Sequence, residues 1–134
     1  QIQLFVKIYE TKPIAILFKK KNKYILDSSN NLINFTKVNF DKEFPSVFGE
    51  NAEKEFVTFY NHLISNNFPT TKVKSYYYFQ IGRWDLQLHE GQLVKLPNTE
   101  LNNAIQKSIE IINNKNFVNY KVIDLRINGK IVVQ

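Results

Sequence analysis

Residues 120–134 read Tyr-Lys-Val-Ile-Asp-Leu-Arg-Ile-Asn-Gly-Lys-Ile-Val-Val-Gln, in which two runs rich in valine and isoleucine flank Asn128-Gly129. Both residues of that pair tolerate the positive φ of a type I′ turn, so the stretch predicts a β-hairpin. In the first run, apolar residues alternate with Asp124 and Arg126, as on a strand with one buried face. The second run is apolar on both faces, and we expect it to be a final strand with one open edge.

An open apolar edge promotes aggregation unless another chain pairs with it. We therefore predict that residues 130–133 form an edge strand to which a partner peptide adds, because strand addition takes its affinity from main-chain hydrogen bonds. The basic residues Arg126 and Lys130, with Arg83 as a further candidate, favour an acidic partner segment. The alternative is that this hairpin is the last internal pairing of the sheet, with its edge blunted by Lys130.

Composition limits what the chain can be. It has 134 residues, of which 43% are hydrophobic, and this fits one domain, or one domain with part of another. The absence of cysteine excludes disulfides, thiolate metal sites and cysteine nucleophiles. No apolar run approaches the ~20 residues of a membrane helix. Residues 2–8 already resemble a strand and no initiating methionine precedes them, so we expect a fragment whose targeting segment lies upstream.

The formal net charge of +6 leaves a second class of function open, an adaptor that binds nucleic acid or an anionic membrane surface. Residues 19–23 form a lysine cluster, and their position between two short strands indicates a solvated hairpin tip. A salt titration separates the two classes, because phosphate binding weakens steeply with salt.

Periodicity predicts an α+β fold, a mostly antiparallel sheet with about two helices packed on it. The predicted strands are 1–9, 14–18, 24–26, 32–35, 72–81, 83–89 and 92–96, followed by the terminal hairpin. The predicted helices are 51–65, with an apolar stripe at spacings of three and four, and a second that starts near Pro97 and ends near Asn113. Residues 36–49 are predicted to be a connection, and residues 27–31 a tight turn rich in Asp, Ser and Asn.

The loop His89-Glu90-Gly91 predicts a hairpin with Gly91 in a left-handed bulge position. That register sets Leu86 opposite Val94, and Asp85 opposite Lys95 as a pair of opposite charges. A two-residue loop would set apolar residues against charged ones, so we favour the bulged register.

The sequence shows no catalytic constellation. Neither His62 nor His89 has a histidine or carboxylate at metal-ligand spacing, so we expect no metal, no cofactor and no enzymatic activity. Asp124 and Arg126 are two apart on one strand face, which indicates a local ion pair. The run Tyr76 to Phe79 could stack nucleic-acid bases, but alternate residues of a strand face opposite sides, which favours a core role.

Five motifs occur in an order that resembles the extracytoplasmic part of the bacterial cell-division family FtsQ, called DivIB in Gram-positive bacteria. They are Glu-Thr-Lys-Pro-Ile-Ala at 10–15, Leu-Asp-Ser-Ser-Asn at 26–30, Phe-Pro to Gly at 44–49, Trp-Asp-Leu-Gln-Leu at 84–88 with Val-Lys-Leu at 94–96, and Ile-Asp-Leu-Arg at 123–126. Each motif alone is weak, whereas five in order are specific, and the resemblance covers nearly the whole chain.

The resemblance implies a bitopic inner-membrane protein of the division septum, with this region in the periplasm or extracytoplasmic space. Residues 1–35 resemble the closing strands of a POTRA domain, and residues 36–134 resemble the family's β-domain. The family is a non-enzymatic scaffold of the divisome that binds the FtsB/FtsL pair (DivIC/FtsL) and other division proteins, with FtsB adding a strand to the last strand of the β-domain.

Mapped onto this sequence, the resemblance implies a partner-binding site formed by Arg126, Ile127, Asn128, Gly129, Lys130, Ile131, Val132 and Val133, with Arg83. The sequence departs from the family pattern in three places. Ile127 stands where an aromatic usually follows the Asp-Leu-Arg run, Asn30 replaces a turn glycine, and Ile81 holds the place of an arginine before Trp84. Arg83 is the candidate to substitute for that arginine.

Overall fold

A computed structural model describes residues 12–34 and 43–134. In this part of the chain, nine strands form a single sheet in the order β3-β2-β1-β4-β5-β6-β7-β8-β9. The strands are β1 (Pro13–Lys19), β2 (Asn22–Asp27), β3 (Leu32–Asn34), β4 (Ser46–Phe48), β5 (Val73–Phe79), β6 (Arg83–Leu88), β7 (Leu93–Lys95), β8 (Val122–Asp124) and β9 (Val132–Val133). The helices are α1 (Ala52–Ser65) and α2 (Leu101–Ile112), and the predicted strand at 1–9 lies outside the described residues.

The predicted α+β class is confirmed, and most neighbouring strands pair antiparallel. Parallel pairing occurs where β4 lies between β1 and β5, and between β7 and β8. The prediction that residues 36–49 are only a connection is wrong, because Ser46–Phe48 is a strand at the centre of the sheet. Its three residues are too few to show a periodicity.

Both helices pack on one face of the sheet. The stripe of α1 buries Phe56, Phe59 and Leu63, as its spacing predicted, whereas Ile64 of the same predicted stripe is 48% exposed. Helix α2 buries Ala104, Ile105, Ser108 and Ile112. The buried apolar side chains of both helices belong to one core cluster with inward-facing residues of the strands, among them Leu17, Val47, Tyr76, Trp84, Leu86, Val94 and Ile123. The core is therefore a single layer between the sheet and its two helices.

The hairpin that contains Trp84 has the predicted bulged register. Leu86 pairs with Val94 and Asp85 pairs with Lys95. Gly91 has a φ of 104°, and its N–H donates to the carbonyl oxygen of Leu88 at 3.0 Å. The Trp84 ring is 4% exposed and stacks on Phe59 with 5.0 Å between ring centroids and 11° between planes.

The two turns that flank β2 agree with the predictions from the sequence. Asp27 Oδ1 accepts hydrogen bonds from the N–H groups of Ser29 at 2.9 Å and Asn31 at 2.8 Å, which confirms the tight turn. The lysine cluster at 19–23 is an exposed hairpin tip between β1 and β2, as predicted. Lys19 forms an ion pair with Glu53 of α1, and the Lys23 ammonium lies 5.4 Å from the centroid of the Phe18 ring.

The predicted boundary between two domains, at residues 35 and 36, falls between β3 and β4. Backbone pairing crosses it, because β1 and β4 are neighbours with Ile16 opposite Ser46 and Leu17 opposite Val47. The division of the chain into a POTRA-like part and a β-domain stays a prediction.

Replacing Trp84 with alanine removes a buried ring from the contact between α1 and the sheet. We expect Trp84→Ala to lower the free energy of unfolding by about 3–5 kcal/mol. Ile81→Ala is the control, because this side chain is 70% exposed, and we expect a change within about 0.5 kcal/mol. Urea denaturation of both variants measures the difference, and equal midpoints would contradict the packing described.

The substitutions Gly49→Ala and Gly91→Ala give a second comparison of a tight site with an open one. Both have positive φ, at 121° and 104°, but a Cβ on Gly49 would overlap the carbonyl oxygen of Tyr78, whereas a Cβ on Gly91 meets nothing within 4 Å. We expect Gly91→Ala to cost about 1–2 kcal/mol from backbone strain, and Gly49→Ala about 1–3 kcal/mol more from the overlap. Thermal denaturation of the two variants checks the ranking, and equal losses would show that β4 and β5 are farther apart at this point.

Candidate partner-binding edge

Strand β9 lies at one edge of the sheet, next to β8. Val122 and Gln134 exchange both backbone hydrogen bonds, with the N–H of Gln134 at 2.9 Å from the Val122 oxygen and the N–H of Val122 at 3.3 Å from the Gln134 oxygen. Ile123 pairs with Val133 and Asp124 with Val132. The predicted edge position is therefore confirmed, although the strand is two residues long rather than four.

Alternation along an antiparallel ladder determines which backbone groups are free. Since Val122 and Gln134 form a hydrogen-bonded pair, the next pair, Ile123 and Val133, is a non-hydrogen-bonded one. The N–H and C=O of Val133 consequently point away from β8, toward the open edge. The same rule directs the backbone groups of Val132 to β8.

The prediction of a tight type I′ hairpin at Asn128-Gly129 is wrong. Its register would pair Asp124 with Val133, whereas Asp124 pairs with Val132, and residues 125–131 form a loop. Gly129 has a φ of 78°, but Asn128 is not among the residues with positive φ, which a type I′ turn requires. The N–H of Lys130 donates to the Ile127 oxygen at 3.0 Å, and positive φ at the third residue is typical of a type II turn.

The edge exposes several apolar side chains. Ile127 is 64% exposed, Ile131 45% and Val133 39%. Val133 lies on the helix-bearing face of the sheet, because it is directly opposite the fully buried Ile123. Apolar side chains beside unpaired backbone groups form a surface that a further strand can cover.

Two of the predicted basic site residues are neutralised by carboxylates two residues away in the chain. The guanidinium of Arg126 contacts both oxygens of Asp124, with Nε at 2.9 Å from Oδ1 and Nη2 at 2.7 Å from Oδ2. This hydrogen bond holds the pKa of the Asp124 carboxyl below its usual value and raises the pKa of Arg126. The predicted local ion pair is therefore present, and the charge that Arg126 offers to a partner is largely compensated.

Arg83 is placed differently from the other predicted site residues. Its Nη1 lies 2.6 Å from Asp85 Oδ1 and 3.2 Å from the Leu96 oxygen, and its guanidinium lies 4.6 Å from the centroid of the Phe79 ring. It is on β6, three strands from β9, which corresponds to about 14 Å at the usual strand spacing. The structure therefore does not bring Arg83 to the edge.

The loop at 125–131 packs against the first turns of α2. The crevice between them has a volume of about 10 Å³ and is lined by Glu100, Asn103 and Lys107 from α2 and its N-cap, and by Ile127 and Lys130 from the loop, with other residues of both segments. Within residues 12–34 and 43–134, no carboxylate lies within ion-pair distance of Lys107 or Lys130.

Sequence reasoning missed Glu100, Asn103 and Lys107, because a contact between a helix and a loop some twenty residues later leaves no local pattern. Their positions on the outward side of an amphipathic helix indicate solvent exposure, and nothing in the spacing points to the loop.

Comparison with known proteins gives the family. The family described as "Cell division protein FtsQ/DivIB, C-terminal" matches residues 15–126, which extend from β1 through β8. The chain belongs to the FtsQ/DivIB family. This confirms the resemblance found in the sequence and assigns the protein to bacterial cell division.

No curated protein matches the FtsQ/DivIB chain described here. Among solved structures, it is similar to the major extracytoplasmic domain of the trans isomer of the cell-division protein DivIB from Geobacillus stearothermophilus. The two share 10% sequence identity with a TM-score of 0.47, and the alignment covers 79% of this chain and 98% of the other.

The FtsQ/DivIB family is a cell-division scaffold family of bitopic membrane proteins with an extracytoplasmic domain, and its members act with other divisome components. Neither helix of residues 12–34 and 43–134 has the length and apolar character needed to span a bilayer. In the same residues, no three His, Cys, Asp or Glu side chains cluster as metal ligands do.

The ion pair between Asp124 and Arg126 predicts a pH dependence. Because the folded-state pKa of Asp124 is depressed, the pair stabilises the fold fully above the unfolded value of about 4, and this contribution is lost as pH falls through the folded pKa. We expect an NMR titration to place the Asp124 midpoint below 3.8 in the parent and to show it rising in Arg126→Gln. Arg83→Gln is the control, since Arg83 bonds Asp85 instead. An unchanged midpoint in Arg126→Gln would contradict the pair.

Proposed function

We propose that this protein is a non-enzymatic divisome scaffold that binds an FtsB/FtsL-type pair by strand addition to β9. The observation that supports this most is the edge itself, where the N–H and C=O of Val133 point outward and the side chains of Val133, Ile131 and the loop residue Ile127 are exposed. A partner strand takes its hydrogen bonds from the backbone of Val133 and places alternate apolar side chains over the helix-bearing face.

The charge of the edge suggests where an acidic partner residue would lie. Asp124 compensates the charge of Arg126, so Lys130 and Lys107 are the cations that we expect to attract a partner carboxylate. Glu100 lines the same crevice, and its negative charge partly compensates theirs. We propose that an acidic residue of the partner lies over the loop at 125–131, beside α2. Charge complementarity there would contribute more to association rate and register than to affinity.

We also propose that a membrane helix anchors the protein, with the described region outside the cytoplasm at the septum. Within this arrangement, strands β1 to β3 correspond to the end of a POTRA-like domain and the rest of the sheet to the β-domain. Both proposals rest on family membership.

Val133→Pro tests the strand addition. Proline removes the outward N–H, and an edge strand tolerates proline where that group faces solvent. We expect binding to the extracytoplasmic segments of the FtsB/FtsL-type pair, measured by calorimetry, to weaken by at least about tenfold, because a partner carbonyl left unpaired costs about 1–3 kcal/mol. The variant's melting curve should change little.

Val133→Thr is the matched control, because it keeps the N–H and the branched shape, and we expect it to bind within about threefold of the parent. Val132→Pro is a poor substitute for Val133→Pro, because the N–H of Val132 points to β8 and its loss would disrupt β9. A folded Val133→Pro protein that binds with the parent's affinity would rule out strand addition at this edge.

A salt titration of the same binding separates strand addition from the nucleic-acid or membrane-surface alternative. Hydrogen bonds and apolar contacts should weaken modestly between 50 and 200 mM salt, whereas a surface that contacts several phosphates would lose about a thousandfold or more. The ion pair of Lys19 with Glu53 and the position of Lys23 over Phe18 leave Lys20 and Lys21 at the exposed tip, which weakens that alternative.

A further inference from the structure

A chemically labile pair of residues lies in the loop between β8 and β9. Asn128 is the only asparagine of the sequence that precedes a glycine, and both Asn128 and Gly129 are exposed. In such a pair the backbone nitrogen of the glycine can attack the side-chain amide carbon of the asparagine. Glycine favours this attack, because it has no side chain to hinder the approach and it accepts a wide range of backbone torsion angles. Asparagine is among the thermolabile residues of proteins.

The two groups that would react are not engaged elsewhere. Within residues 12–34 and 43–134, neither the N–H of Gly129 nor the side-chain amide of Asn128 has a hydrogen-bond partner. The turn around them is closed by the N–H of Lys130, which donates to the Ile127 oxygen at 3.0 Å. Ring closure requires a rotation of the backbone at Asn128, and an exposed hydrogen bond of this kind opposes the rotation only weakly.

The pair Asn66-Asn67, at the end of α1, is held by its surroundings. The side-chain amide of Asn66 donates to the His62 oxygen at 2.8 Å and to Asn102 Oδ1 at 3.0 Å. The backbone N–H of Asn67, which is the group that would attack, donates to the Ile64 oxygen at 3.0 Å. Hydrogen bonds on both reacting groups must break before this pair can react, whereas the groups of Asn128 and Gly129 are free to do so.

We propose that Asn128 is a site of spontaneous deamidation, which adds a negative charge to the loop at 125–131. The nitrogen of Gly129 bonds to Cγ of Asn128 and gives up its proton through water to Nδ2, which leaves as ammonia when the Cγ–Nδ2 bond breaks. Water then opens the resulting succinimide at either carbonyl and leaves an aspartate or an isoaspartate. Water is the co-reactant, nothing is oxidised or reduced, and a neutral amide becomes a carboxylate.

The new charge would lie in the crevice between the loop and α2. Asn128 lines that crevice together with Glu100, Lys107 and Lys130, so a carboxylate at this position joins Glu100 in compensating the two lysines. An acidic residue of the partner is expected at the same place, and this consequence rests on the proposed function. Like charges brought together across an interface oppose association. The deamidated protein should therefore bind an acidic partner segment less tightly than the parent.

Peptide mapping by mass spectrometry tests the reaction in the protein alone. The parent is incubated at mildly alkaline pH, where the reaction should be faster because the attacking nitrogen must lose its proton. We expect Asn128 to deamidate at least about tenfold faster than Asn66, because the hydrogen bonds that Asn66 and Asn67 must first break are worth about that factor. The products should include isoaspartate, which a direct hydrolysis of the amide would not give.

Asn128→Gln is the matched control for the reaction. It keeps an amide at this position, but its longer side chain must close a larger ring, so we expect no conversion there over the same period. An Asn128 that reacts no faster than Asn66, or that does not react at all, would overturn the proposed site.

Asn128→Asp tests the effect of the charge on binding, because it has the shape of the parent side chain. We expect its binding to the extracytoplasmic segments of the FtsB/FtsL-type pair, measured by calorimetry, to be about two- to fivefold weaker at low salt. The difference should fade at high salt, since exposed charges are screened. Asn61→Asp adds the same charge at an exposed position of α1 and should bind as the parent does. Equal affinities of Asn128→Asp and the parent at low salt would overturn the role of the charge.

Failure of the strand addition and failure of the deamidation site are distinguishable. Val133→Pro should weaken binding of the partner pair and leave the rate of deamidation at Asn128 unchanged, because the reaction needs no partner. If Val133→Pro binds with the parent's affinity, the edge is ruled out while the mass-spectrometric result still decides the site at Asn128.

Discussion

The sheet depends on the two-sided pairing of β4. Strands β1 to β3 form one antiparallel meander and β5 to β7 another, and Ser46–Phe48 is the strand that hydrogen-bonds to both. On the face opposite the helices, Phe48 stacks on Phe18 at 4.8 Å and on Tyr77 at 5.2 Å, so side chains reinforce the same junction. Gly49 follows at once, where the backbone of β5 leaves no room for a Cβ.

The sequence predicted those parts of the fold that local pattern determines. The bulged hairpin around Gly91 followed from its loop length, and the buried stripe of α1 from its spacing. Strand β4 was not predicted, because three residues are too few to show an alternation of apolar and polar side chains. Its partners β1 and β5 are also remote from it in sequence. Helix α2 begins after Glu100, which has a positive φ of 52° and makes no side-chain capping hydrogen bond. No capping motif in the sequence therefore marks this start.

The candidate site was predictable in position but not in geometry. Alternation and the final apolar run placed an edge strand correctly, yet the Asn128-Gly129 pair gave the wrong register. Asp124 explains the difference in register. Its carboxylate accepts a hydrogen bond from the backbone N–H of Arg126 at 3.0 Å, and it also accepts from the guanidinium of Arg126. A side chain that bonds the backbone in this way competes with the ladder, and the first strand ends there. The charges of Arg83 and Arg126 were visible in the sequence, whereas their neutralisation was visible only in the fold.

The late start of β9 has a consequence for self-association. A long, flat apolar edge would offer another copy of this chain as many backbone bonds as it offers a partner, and sheets of that kind polymerise. The loop at 125–131 limits the edge on its N-terminal side, because β9 joins the ladder only at Val132, opposite Asp124. An edge that is limited in this way selects weakly by its backbone alone, so discrimination between partners falls to the side chains around it.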